Sequence, residues 1–233
     1  MVSASVRILR LILLAALAVG CTHDREAPAV EIMHVYAQGG DATSPFVVWI
    51  HGRGGRPDRF ADFWRDFPAR VEVALPRGFT PTGTGWAWFE WAAGMSDDAL
   101  ACVVAAAEEK LWPAIREAAH GRQIIVGGFS QGAVLVYVMA ARHPDEIRAA
   151  FPVSGSAPRK LLPHDHARAA PVFAMHGTDD RVIGVGDARA TVLAFTADGA
   201  TAELREFPGV GHSFTDAMRE ELVMRIRAAI EKP

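Results

Sequence analysis

Gly128-Phe129-Ser130-Gln131-Gly132 sets a serine between two glycines, directly after the apolar run 123–127 and ahead of an apolar helical pattern over 131–142. A serine on a sharp strand-to-helix turn projects its hydroxyl above a sheet. Glycines on either side remove the Cβ atoms that would clash across such a turn, and the positive end of the following helix faces the hydroxyl. That is the geometry of a nucleophile.

A serine hydroxyl is a weak nucleophile until a base takes its proton and an acid orients the base. Of the nine histidines, at 23, 34, 51, 120, 143, 164, 166, 176 and 212, only His212 follows a strand-borne acid in the chain order serine, acid, histidine. The acid is Asp179 or Asp180, both directly after the apolar run 172–175. His212 lies in a glycine-rich loop, Phe207-Pro208-Gly209-Val210-Gly211-His212-Ser213-Phe214, ahead of the last helical pattern. Two backbone N–H donors complete the requirement, one from Gln131 after the serine and one from the loop following an early strand. His51-Gly52-Arg53-Gly54-Gly55 is that loop, and Arg53 is its donor. The same glycines could form an anion nest for phosphate, but neither a P-loop lysine nor a dinucleotide pattern accompanies them.

Segments of two periods alternate along the chain, as they must to carry these loops. Continuous apolar runs over 46–50, 71–75, 123–127, 149–153, 172–175 and 202–207 predict strands, mostly buried on both faces. Helical patterns fill 58–67, 131–142, 185–196 and 213–230, and Ser96 caps a further helix with Asp97 and Asp98 in its first turn. The alternation predicts an α/β fold, a mostly parallel sheet with helices on both faces, in one domain over 31–233. Residues 76–94, with Trp86, Trp88, Phe89 and Trp91, and residues 154–170 fit neither period. Lying at the carboxyl ends of strands, they are the candidate substrate walls. Trp86, Trp88 and Phe89 either line a pocket or pin the long loop to the body.

HGRGG, WAWFEW, GFSQGA, HGTDDRVI and PGVGHSF, in that order, resemble the α/β-hydrolase family of carboxylesterases, lysophospholipases and acyl-protein thioesterases from about residue 45 to the C-terminus. The resemblance implies Ser130, Asp180 and His212 as the triad and Arg53 and Gln131 as the oxyanion positions. It thereby favours Asp180 over Asp179. It implies hydrolysis of carboxylic esters, thioesters or lysophospholipid esters with no cofactor. This chain departs from the family in carrying Arg53 where leucine is usual and Arg181 where proline is usual. A peptidase on the same fold, or a catalytically silent binding protein of the cell envelope, are the alternatives.

Composition narrows the rest. The 233 residues are 50% hydrophobic and 22% charged with a formal net charge of -3, and without Arg7 and Arg10 the balance is -5, so nothing advertises nucleic acid as a partner. Arg7 and Arg10 precede an unbroken apolar run over 11–19, which predicts an export signal over 1–20; the run is too short to span a bilayer. Ala18-Val19-Gly20-Cys21 resembles a lipobox, which implies acylation at Cys21, a tether over 21–30 and a membrane anchor; ordinary cleavage after Ala18 would instead release a soluble exported protein. Cys102 is then the other cysteine, set opposite the apolar stripe of its helix as a surface thiol. His164-Asp165-His166 offers ligand types, but a spacing of two in a loop favours a solvated surface over a metal site.

Overall fold

The computed structural model describes residues 30–92, 94–164 and 168–231. The predicted signal, Cys21, Asp165 and His166 lie outside the described residues. Seven strands form one sheet in the order β1-β3-β2-β6-β7-β8-β9. β2 (Phe46–Ile50), β3 (Val71–Pro76), β6 (Ile124–Phe129), β7 (Ile147–Val153), β8 (Val172–Gly177) and β9 (Ala202–Phe207) are parallel. β1 (Ile32–Ala37) is antiparallel to β3. All five residues of β2 are buried, because helices cover both faces of the sheet there.

α2 (Asp97–Ala119), α3 (Gln131–Arg142) and α4 (Val185–Ala197) contribute to the core on one face, where Val104, Leu111, Leu135, Val138 and Phe195 are buried. α1 (Asp58–Arg65) and α5 (Asp216–Glu231) contribute to the other through Trp64, Met218, Leu222 and Ile226. Gln131 to Ala140 of α3 are all buried, as a helix apolar on every side must be. Each of its fully buried Val or Leu side chains contributes roughly 1.5–3 kcal/mol, so the helix behind the serine is anchored by packing. Ser96 caps α2, its Oγ accepting the Ala99 N–H at 3.2 Å, and Cys102 is exposed.

β1 has no counterpart among the predicted strands. It is an edge strand in which only Val35 and Ala37 are buried, and the polar His34 interrupts its apolar run after two residues. The 76–94 stretch, read as irregular, contains a hairpin of β4 (Thr80–Thr82) and β5 (Gly85–Ala87), each too short to display a period. α1 stops at Arg65 rather than 67, since Pro68 follows closely and restricts the residue before it. α5 begins at Asp216 rather than 213: the Thr215 hydroxyl accepts the Met218 N–H at 3.4 Å, leaving Ser213 and Phe214 in the preceding loop. None of the helices among the described residues is long and apolar enough to cross a membrane.

Candidate active site

Ser130 sits between the end of β6 and the first residue of α3 with φ 55° and ψ -117°. A non-glycine residue there is strained, at a cost on the order of 1–3 kcal/mol. The turn is close enough that a Cβ on Gly128 would lie 2.8 Å from the carbonyl carbon of Gly132. The serine side chain makes no capping bond to its own helix, so its hydroxyl is free for another partner.

That partner is His212. Its Nε2 accepts from Ser130 Oγ at 2.9 Å, and its Nδ1 donates to Asp180 Oδ2 at 2.7 Å. The carboxylate dictates this tautomer, since an ionised oxygen only accepts. Asp180 stands in the turn just past β8, its side chain fully buried and that of His212 18% exposed. Burial pushes the Asp180 carboxyl upward, but the His212 hydrogen bond and the N–H groups of Ile183 and Val182, at 3.0 and 2.9 Å on Oδ1, together hold it below the usual carboxylate range. Asp180 is thus an ionised acceptor. Asp179 is exposed and its carboxylate takes the hydroxyl of Thr178, so of the two neighbouring acids only Asp180 meets the histidine. The Phe129 ring lies 5.1 Å from the His212 ring.

The two predicted N–H donors flank the same serine. Gln131 is the first residue of α3, and its N–H has no acceptor inside the helix. Its side chain is turned to other work, with Oε1 accepting Trp88 N–H at 3.1 Å and Nε2 donating to Phe89 O at 3.0 Å. In the other loop, Gly54 and Gly55 give their N–H groups to Trp86 O and Gly52 O at 2.8 and 2.9 Å, whereas Arg53 N–H has no backbone acceptor among the described residues. Gly52 approaches so closely that a Cβ there would stand 3.2 Å from the Ser130 Cβ. His51 braces the loop: Nδ1 donates to Gly52 O at 2.7 Å and Nε2 accepts Gly78 N–H at 3.2 Å. Burial lowers its pKa, which keeps Nε2 available as an acceptor.

Ser130 and His212 open into a cavity of about 590 Å³, in the usual range for small-molecule sites. Phe89, Trp91, Leu100, Val134, Leu162 and Ile183 give it an apolar wall, and Arg53, Asp97, Arg159 and Asp187 supply charge. Both loops expected to form walls do so, through Phe89 and Trp91 from one and Ser156 to Arg159 and Leu162 from the other.

Two of the three aromatic residues predicted to bind substrate do not line it. Trp88 is 2% exposed and donates its indole N–H to His51 O at 2.7 Å, while the backbone of Trp86 clamps Gly54 and Gly55. They hold the loop of residues 51–55, and Phe89 alone of the three faces the cavity. Trp91, omitted from the predicted set, also lines it and is 45% exposed. The signal that could have separated them was weak, since neighbouring aromatics on one loop differ only in orientation. His164 is exposed, and among the described residues no group of three or more metal-ligand side chains is assembled.

A profile of the phospholipase/carboxylesterase family matches residues 31–230. The chain is 33% identical over 118 residues to acyl-protein thioesterase 1 of Eremothecium gossypii, an alignment covering 48% of this chain and 50% of that one. It is 26% identical over 106 residues to carboxylesterase SOBER1 of Arabidopsis thaliana, covering 44% and 46% respectively. These alignments span about half the length of each curated relative. Among solved structures, esterase PE8 superimposes with a TM-score of 0.75 at 22% identity, over 86% of this chain and 99% of that one.

Proposed function

The chain belongs to the phospholipase/carboxylesterase family of α/β-hydrolases, and from that premise we propose that it is a serine esterase in which Ser130, His212 and Asp180 are the catalytic triad. The observation that carries this reading is the unbroken relay of 2.9 and 2.7 Å hydrogen bonds from Ser130 through His212 to Asp180, with Ser130 and His212 lining a cavity that has an apolar wall.

Ser130 Oγ attacks the ester carbonyl carbon as its proton passes to His212 Nε2. The carbonyl oxygen becomes an oxyanion held by the N–H groups of Arg53 and Gln131. Asp180 stabilises the imidazolium without taking its proton. His212 then gives the proton to the leaving oxygen, the alcohol departs, and an acyl-Ser130 ester remains. Water attacks this ester with His212 again as base, releasing the acid and restoring the serine. The apolar wall of Phe89, Leu100, Val134 and Leu162 suits the acyl chain of a carboxylic ester, thioester or lysophospholipid.

The experiment is a series of p-nitrophenyl esters of graded acyl length against the purified protein. Turnover that rises with acyl length and then falls as the cavity is filled supports the reading; no turnover on any ester opposes it. We further propose that the enzyme is exported and acylated at Cys21, on the strength of Arg7, Arg10, the apolar run 11–19 and the residues before Cys21. Metabolic labelling with a fatty-acid analogue should mark the wild type and not Cys21→Ser.

A further inference from the structure

Asp180 is touched by a second histidine that the relay does not use. His176, on β8 four residues before Asp180, is fully buried, and its Nε2 lies 2.9 Å from Ile183 O and 3.3 Å from Asp180 Oδ2, the oxygen that holds His212. A carbonyl oxygen only accepts, so the proton is on Nε2 and is donated to Ile183 O, with Asp180 Oδ2 in close polar contact beside it. The other nitrogen, Nδ1, is buried with no hydrogen-bond partner. An imidazole in an apolar core would ordinarily be replaceable by a hydrophobic residue of similar size, since leaving a polar atom unpartnered is unfavourable. Here the one N–H of the ring is directed at the two ends of the turn that carries the triad acid.

We propose that His176 is a positioning residue of the triad. Its Nε2–H holds the Ile183 carbonyl while the ring stands against Asp180 Oδ2, fixing the turn that also brings the N–H groups of Val182 and Ile183 onto Oδ1. With Oδ1 occupied by those donors, Oδ2 faces His212. Removing the Nε2–H frees the carboxylate to rotate, and His212 loses its orientation while the substrate cavity is unchanged. The titratable and charged groups around the ring are Asp180 and His212 themselves and Glu206, opposite His176 in the β8–β9 register and held by Arg189 of α4; Asp179, Arg181 and Asp187 stand in the adjoining loop and helix turn.

The inference rests on the Ser130–His212–Asp180 reading, and the two fail separately. His176→Gln keeps an N–H donor near the position of Nε2; His176→Met keeps volume and loses the donor. The Met variant should lose tenfold or more in kcat with KM little changed, and the Gln variant should recover most of that loss. In an Asp180→Asn background the same His176 substitutions should cost almost nothing further, because a residue that acts through Asp180 has nothing left to act on. Should the Met variant not fold, His176→Asn, whose amide stops short of Nε2, takes its place. Equal losses for the Gln and donor-free variants, or full additivity with Asp180→Asn, would overturn the positioning role. Retained activity in Ser130→Ala would instead overturn the triad reading beneath it.

Discussion

Gly132 and Ile50 are in such close contact that a Cβ on the glycine would lie 2.0 Å from the isoleucine carbonyl oxygen. Ile50 ends β2 and leads into His51-Gly52-Arg53, while Gly132 stands in the first turn of α3 beside Gln131. This contact therefore presses the two elements that carry the proposed oxyanion donors against each other. Alanine in a helix is ordinarily better than glycine by roughly 0.5–1 kcal/mol. At this site overpacking, which typically costs about 1–3 kcal/mol, outweighs that gain. Gly132→Ala should lower the denaturation midpoint and depress kcat together; a stabilised variant with full activity would show that the contact relaxes freely.

The adjacent acids separate cleanly by substitution. Asp180→Asn removes the acceptor of the His212 Nδ1–H and should reduce kcat by about 10⁴, the usual cost of losing the orienting carboxylate. Asp179→Asn alters only an exposed bond to Thr178 and should leave kcat/KM within about threefold, as expected for a surface change of a few tenths of a kcal/mol. Steady-state kinetics on one ester decides between them.

Activity should decline on the acid side in a single-proton limb. The proposed base must be neutral to accept the serine proton, so protonating its imidazole removes catalysis. Asp180 is held below the usual carboxylate range, so it remains ionised throughout that limb. A depressed carboxyl stabilises the folded state above its unfolded pKa, and this contribution is lost only as pH falls through the still lower folded value. Activity should therefore vanish well before the fold does. A rate flat from about pH 8 to about pH 5 would remove histidine from the mechanism.

Arg53 should discriminate among esters by charge. Its guanidinium has no ion-pair partner among the described residues, because Asp58, the nearest acid in sequence, is taken by Arg56 at 2.9 Å. It lines the cavity beside the serine, although Asp97 and Asp187 add negative charge to the same wall. Arg53→Leu leaves the backbone donor in place. Rates on neutral esters should persist while those on anionic esters fall by roughly tenfold, about 1.4 kcal/mol. Equal effects on both would show that the side chain serves only the surface.

How much of this was legible in the sequence depended on whether the deciding physics was local. β2 and β6 announce themselves because burial on both faces leaves an unbroken apolar run, whereas β1 buries only Val35 and Ala37 on a sheet edge and leaves no comparable pattern. Ser130 and His212 are legible because a strained elbow demands flanking glycines and because chain order excludes the other histidines. The residues alone could not choose between Asp179 and Asp180. One step along a turn reverses the direction of a side chain, and the structure shows which one faces inward. The same limit governs the tryptophans. Trp88 braces the loop at His51 and Trp91 lines the cavity, and neither residue type nor spacing distinguishes those fates.

The most direct test of the triad assignment is to treat the folded protein with a fluorophosphonate probe and locate the adduct by peptide mass spectrometry. A nucleophile activated by His212 should be phosphonylated at Ser130, at a rate that falls by several orders of magnitude in His212→Ala and with no adduct in Ser130→Ala. A protein that hydrolyses esters yet carries its adduct elsewhere, or that leaves Ser130 unmodified, would contradict the account.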